Sequence, residues 1–198
     1  MTKKFMNKYR NESLRLKYWD YGRNGDYFLT ICTKDKDHFF GEIKDREMFM
    51  NKVGQIAQDI WFKIPQQFPF AKLENFVVMP NHVHGILVMD KIDDSDEIRD
   101  FYNNPDMLSE IAKTMTIGGP KIGGITGNYN PMFKKNVSRV MRWYKGRCTF
   151  EIRKLNPNFG WQPKFYDNII RNDRAYRNIS QYIIDNPKRW KEDKFYKE

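Results

Sequence analysis

The stretch 72–89, KLENFVVMPNHVHGILVM, constrains the fold more than any other part of the chain. Two runs rich in β-branched and aromatic residues flank Pro80-Asn81, a dipeptide that marks a tight turn. The pattern predicts a hairpin of strands 72–79 and 82–89. A hairpin is marginal by itself, so other strands must extend it and helices must cover it. The second strand also carries His82 and His84, two of the three histidines in the chain. At i and i+2 on a strand their side chains share one face. Val83 and Ile86 are assigned to packing.

The segments around the hairpin complete the pattern. DYFLTICT (26–33) follows the turn signal RNG and reads as a strand. REMFMNKVGQIAQDIWFKI (46–64) places Met48, Val53, Ile56, Ile60 and Ile64 near helical spacing, with Pro65 as its stop. KKNVSRVMRWYKGRCTFEIRK (134–154) reads as a second helix, and a strand is expected after Pro163 within 159–171. NDRAYRNISQYIIDN (172–186) opens on an Asn/Asp cap and is ended by Pro187. The order β, α, β, β, α, β, α predicts an α+β fold. It fits a ferredoxin-like antiparallel sheet covered by helices, with an additional C-terminal helix. The length of 198 residues suits one domain spanning 1–198. Two appendages stand apart. Residues 1–18 form a basic arm or a merely solvated terminus. Residues 91–131, acidic at the start and glycine-rich at the end, read as a flexible insertion with a short helix around 105–115.

The charge balance narrows the partners. The net charge is +10, which favours nucleic acid or an anionic membrane surface. No apolar run is long enough to span a bilayer, and the N-terminus has no apolar leader, so a membrane is not expected. Cys32 and Cys148 have no metal-binding spacing and point to a reducing compartment, hence a cytoplasmic protein. Positive charge concentrates in 134–154, where Lys134, Lys135, Arg139, Arg142, Lys145 and Arg147 interleave with Trp143, Tyr144 and Phe150. Cations can track phosphates while rings stack on unpaired bases. An amphipathic core helix with a solvated basic face has the same composition, and one helix can do both. Trp161 reads either as a stacking platform or as a core residue.

Two constellations could carry chemistry. Two imidazoles on one strand face make a ready pair of metal ligands. The alternative is a pair of histidines hydrogen-bonded to their neighbours. Nothing near 82–84 supplies an obvious third ligand. The second constellation is QYIIDNP (181–187), where Tyr182 and Asn186 at i and i+4 lie on one helix face. A phenol becomes a nucleophile when a base or metal activates it, and an amide oxygen can hold a cation. A packed tyrosine followed by a C-capping asparagine would look the same. Ile179, Ile183 and Ile184 are available to anchor this helix to the sheet. Tyr144 and Tyr166 are rival nucleophiles.

Together these blocks resemble the single-tyrosine HUH transposases, and most nearly the REP-associated tyrosine transposases. The His82-Val83-His84 strand is similar to the family's His-hydrophobic-His strand. WDYGRNGDYFLTICT (19–33), FGEI (40–43), WYKGRCTFEIR (143–153), WQPKFYDNIIRN (161–172) and YIIDNPKRW (182–190) resemble its other blocks in the same order. The resemblance covers nearly all of the chain outside 91–131. It implies a ferredoxin-like α+β domain with Tyr182 as the catalytic residue. It also implies that His82, His84 and Asn186 hold a divalent cation, Mg2+ or Mn2+; related transposases often carry Gln where Asn186 stands. The implied reaction is cleavage and rejoining of single-stranded, hairpin-forming repeat DNA through a 5′-phosphotyrosine bond, by a monomer or a homodimer. Because those three ligands are uncharged, weak metal binding is expected without DNA. Two other readings remain: a non-catalytic nucleic-acid-binding module of the same fold, and a metal-dependent nuclease using activated water.

Overall fold

The computed structural model describes residues 23–91 and 135–197, together with the backbone of two short strands, β1 (Lys4–Phe5) and β2 (Lys8–Tyr9). The expected helix at 105–115 lies outside the described residues, as does nearly all of the insertion. The elements then run β3 (Gly25–Cys32), β4 (Gly41–Lys44), β5 (Glu47–Met50), α1 (Lys52–Phe62), α2 (Ile64–Gln67), β6 (Ala71–Met79) and β7 (His82–Met89). They continue as α3 (Val137–Ile152), β8 (Tyr166–Ile170), α4 (Asp173–Asp185) and a 3-10 segment, Pro187–Glu192.

The central sheet has the order β6-β7-β3-β8, with every neighbouring pair antiparallel. Each helical crossover, β3-α1-β6 and β7-α3-β8, therefore skips one strand. This is the split βαβ arrangement of a ferredoxin-like fold. The predicted hairpin is present, and its register pairs Val78 with Val83 and Met79 with His82 across the Pro80-Asn81 turn.

The alternation of β7 divides the molecule into two faces. Val83, Leu87 and Met89 point into the larger core with Trp61 and Ala57 of α1 and Val140, Met141, Tyr144 and Cys148 of α3. Gly85 belongs to this face. A Cβ there would lie 2.5 Å from the ring of Trp61, which itself stacks on Phe76 at 4.6 Å. Full burial of a large apolar side chain contributes roughly 1.5–3 kcal/mol, so this face supplies most of the apolar stabilisation. His82, His84 and Ile86 point the other way, where α4 lies. Ile183 of α4 packs there on Ile86 and Ile170.

Three expectations change. The single helix 46–64 is a strand followed by a helix. Asp45 and Arg46 both adopt left-handed φ and close a two-residue turn between β4 and β5. Asn51 then starts α1 by accepting hydrogen bonds from the N–H groups of Val53 and Gly54. Met48 thus lies on a strand. Pro65 does not end the run but sits in the first turn of α2, where its missing N–H costs nothing. Lastly, Ile184 is exposed, and only Ile179 and Ile183 anchor α4; Val83 and Ile86 both pack as expected, on opposite faces of the strand.

Candidate active site

His82 and His84 sit fully buried, at 0% exposure, on the α4 face of β7. Their Nε2 atoms are 3.0 Å apart. The tautomer of His82 follows from its neighbour. Asn81 Nδ2 donates to the carbonyls of Lys36 (3.1 Å) and Phe195 (2.9 Å), so its Oδ1 is the acceptor that faces His82 Nδ1 at 2.8 Å. His82 therefore carries its proton on Nδ1 and presents a bare lone pair at Nε2. His84 Nδ1 contacts Thr30 Oγ1 of β3 at 2.8 Å. Two arrangements satisfy the 3.0 Å approach. Either His84 Nε2–H donates to His82, or both lone pairs converge on one electrophile. Burial pushes both imidazole pKa values down, and each favours its neutral, ligand-competent form.

Helix α4 delivers the rest. Asn172 caps its start by accepting from Ala175 N–H, and Asn186 closes its end. Tyr182 Oη lies 3.3 Å from His84 Nε2, and the Tyr182 ring meets Phe28 edge-on at 6.0 Å. Tyr182 is 37% exposed. A cleft of about 370 Å3 between α4 and the C-terminal segment opens beside it, lined in part by Gln181, Asn186 and Arg189. Asn186 is buried at the same place. Among the described residues its Oδ1 is a buried acceptor with no hydrogen-bond partner, a costly state that a cation would relieve.

The sequence reading missed three contributors. Thr30 and Asn81 orient the imidazoles from behind, as outer-shell partners of metal-binding histidines do. Asn81 looked like turn chemistry alone. The third is Asp193, just beyond the 3-10 segment. Its Oδ2 accepts from the Tyr182 hydroxyl at 2.8 Å and from Asn186 Nδ2 at 2.8 Å, and stands 3.9 Å from His84 Nε2. Its Oδ1 accepts from Phe195 N–H at 2.6 Å. Burial alone would raise this carboxyl; the His84 imidazole, the Asn186 amide, the Phe195 N–H and the Tyr182 hydroxyl together outweigh that and hold it below the ordinary range. The Tyr182 phenol is pushed up, first by burial and then by Asp193. The segment is held down by aromatic packing. Phe195 lies 5.0 Å from the His82 ring and 5.9 Å from that of His84, and Trp190 lies 5.9 Å from His82. A charged tail with aromatic anchors was legible; an aspartate aimed inward was not.

The rival tyrosines lie on different faces of the sheet, Tyr144 away from the histidines and Tyr166 on their side. Tyr144 is fully buried on the other face of the sheet and donates to Ala57 O at 3.1 Å. Tyr166 is exposed on β8, beneath the Lys194 ammonium at 5.7 Å.

The predicted nucleic-acid residues are not brought to the histidines. Arg139, Arg142, Lys145 and Arg147 ride on α3, which packs against the opposite face of the sheet, and Lys135 lies just before it. Lys134 lies outside the described residues. Arg139 sits over Phe68, Lys135 over Phe70 and Arg147 over Phe150. Arg139, Arg142, Trp143, Arg147 and the 60%-exposed Phe150 line a groove of about 620 Å3. Lys145 points elsewhere and donates to the carbonyls of Gln162 and Lys164 at 2.7 Å each, with burial lowering its pKa to about 8. Trp161 packs against Phe40, Phe159 and Tyr144. Among the described residues, no helix is long and apolar enough to cross a membrane.

No family model matches the chain. An uncharacterized protein of Haemophilus influenzae is 32% identical over 189 residues, which cover 95% of this chain and 94% of that protein. Among solved structures, a REP-associated tyrosine transposase bound to a REP hairpin superposes with a TM-score of 0.53 at 19% identity, covering 89% of this chain and 73% of that one. The chain has the fold of that transposase, in agreement with the sequence resemblance, and it belongs to one family with the Haemophilus influenzae protein.

Proposed function

We propose that the protein is a single-tyrosine HUH transposase that cleaves and rejoins single-stranded DNA through a 5′-phosphotyrosine bond. One observation carries the reading. A tyrosine hydroxyl lies 3.3 Å from one of two buried, neutral imidazoles whose Nε2 atoms converge. A tyrosine in core packing has no need of such a neighbourhood. The donor set fits the divalent cation that the fold family implies. Two neutral imidazole nitrogens and an orphaned amide oxygen, His82, His84 and Asn186, suit Mg2+ or Mn2+ and include no thiolate. Such a cation, when bound, supplies Lewis-acid polarisation of a phosphate oxygen.

The chain's own residues account for the rest. Tyr182 is the nucleophile: its Oη forms the bond to phosphorus while the P–O3′ bond breaks and the 3′ oxygen leaves as a hydroxyl. The phenolic proton leaves along the hydrogen bond to Asp193 Oδ2 and passes from there to the departing 3′ oxygen. Thr30 and Asn81 keep the imidazoles fixed. Attack on the phosphotyrosine by another 3′-OH returns the proton and joins strands, so no external energy source is needed. The basic groove on α3 would hold the DNA by its phosphates, with Phe150 and Trp143 available to bases. The transposase of similar fold was solved with a REP hairpin, and a hairpin with a single-stranded flank is the substrate to try first.

The test incubates wild type and Tyr182→Phe with hairpin-forming single-stranded DNA and Mn2+ or Mg2+. Wild type should form a covalent protein–DNA adduct that resists denaturation, and the variant should not. Cleavage without adduct, unchanged in the variant, assigns the reaction to water and rejects Tyr182. Tight binding without cleavage in either metal leaves only a nucleic-acid-binding module.

A further inference from the structure

We infer that Asp193 is a fourth protein ligand of the metal centre, so that the chain takes up a divalent cation in the absence of DNA. The inference rests on the metal-site reading above and alters one of its consequences. Three neutral ligands would hold a cation weakly until DNA phosphate arrived; a carboxylate among them changes the charge of the site.

Three observations point the same way. First, the geometry is that of a ligand set. Ligand atoms of His82, His84 and Asp193 all lie within 4.8 Å of one another. The pair distances are 3.0 Å between the two Nε2 atoms and 3.9 Å from His84 Nε2 to Asp193 Oδ2. Atoms bound at about 2.1 Å to one ion stand roughly 3 to 4 Å apart, depending on the angle between them. Second, the carboxylate is withdrawn from water. The Asp193 side chain is 1% exposed, and it accepts hydrogen bonds from a hydroxyl, an amide and a backbone N–H. Burying a carboxylate is costly, and a bound cation beside it lowers that cost. Third, Asp193 fixes the direction of Asn186. By taking the Nδ2 donor it leaves Asn186 Oδ1 as the free oxygen. The four side chains then offer two nitrogens and two oxygens, a set that suits Mn2+ and Mg2+. The same Oδ2 binds the Tyr182 hydroxyl, which ties the nucleophile to the metal centre.

The experiment titrates Mn2+ into the full-length, metal-stripped protein without DNA and follows free Mn2+ by electron paramagnetic resonance. Wild type should take up one ion per chain. Asp193→Asn keeps the side-chain shape but loses the charge; it should bind roughly tenfold or more weakly, and its metal-free form should melt no lower than wild type. Asp193→Glu should retain part of the affinity. Tyr182→Phe, which removes a donor but no ligand, should bind as wild type does. Absence of Mn2+ uptake by wild type, or equal uptake by Asp193→Asn, overturns the inference. So does an Asp193→Asn protein that forms more DNA adduct than wild type, because Asp193 would then be a plug. Those outcomes leave the phosphotyrosine reaction standing; that reading fails separately, by the missing adduct at Tyr182.

Discussion

The two faces of the β6-β7-β3-β8 sheet are built from the same strands and do different work. On the α1/α3 face, β7 contributes Val83, Gly85, Leu87 and Met89 to a closely packed apolar core. On the α4 face the same strand contributes His82 and His84, whose nearest partners are polar: Asn81, Thr30, Tyr182 and, through Tyr182 and Asn186, Asp193. One face holds the strand in place, and the other uses that rigidity to keep two imidazoles 3.0 Å apart. Period-two alternation allows this division without any change of backbone. The division is testable: substitutions on one face should disturb chemistry and spare the fold, and those on the other should do the reverse.

The largest effect is expected at the polar face. His84→Ala removes a proposed metal ligand and the contact to Tyr182 Oη. Adduct formation should fall by more than the roughly 10- to 100-fold typical of outer-shell changes at metal sites, with hairpin affinity largely kept. His82→Ala should behave alike. Normal cleavage by both variants would remove the basis for the contrast, since the polar face would then be ordinary packing.

One position along the strand, the expectation reverses. Gly85→Ala directs a methyl group at Trp61, 2.5 Å away. Overpacking of this kind costs about 1–3 kcal/mol, visible as a lower denaturation midpoint. The folded fraction should still form adduct at close to the wild-type rate. A stable variant with lost cleavage would mean that the two faces are coupled through the strand.

The third prediction concerns the same apolar face seen from outside. Arg142 is exposed on α3 and lines the groove beside Trp143 and Phe150. If it contacts phosphate, Arg142→Ala should weaken hairpin binding at all sequences and reduce the slope of log affinity against log salt by about 1. Cleavage at saturating DNA should not change. An unchanged salt slope would move the DNA surface off α3 and onto the face that carries the histidines.

What the sequence disclosed follows this same contrast. Strand pairing, the antiparallel order and the face shared by His82 and His84 were legible because period-two and period-3.6 patterns are local. The pairing of Tyr182 with Asn186 was legible because i and i+4 are neighbours on a helix. The β4-β5 hairpin was hidden because Met48 fitted a helical spacing, while the turn at Asp45-Arg46 lacks the glycine that usually marks it. Asp193 was hidden for a different reason. It sits in a charged tail, KEDKFYKE, where an aspartate normally meets water; only the docking of Trp190 and Phe195 onto the imidazoles turns it inward. Asn81 was read for its turn and not for its side chain. Local patterns revealed the scaffold, and long-range packing decided which polar groups reach the site.

The smallest expected effect makes the sharpest distinction between faces. Tyr144 lies in the basic helix and, on sequence alone, competed with Tyr182 as nucleophile. Its hydroxyl is spent on Ala57 O at 3.1 Å, deep under α1, and burial pushes its pKa well up. It stands on the side of the sheet away from His82 and His84, so it cannot share their chemistry without unfolding α3. Tyr144→Phe therefore removes the buried hydrogen bond to Ala57 O and the contact with the Cys148 thiol, at a cost of about 0.5–1.5 kcal/mol. Equilibrium denaturation should show that loss, and adduct yield on hairpin DNA should match wild type. A large fall in adduct with little change in stability would place the nucleophile on the apolar face and dissolve the division of labour. Tyr182→Phe should give the opposite pair of results, because its hydroxyl faces a half-open cleft and its one bond to Asp193 is open to solvent.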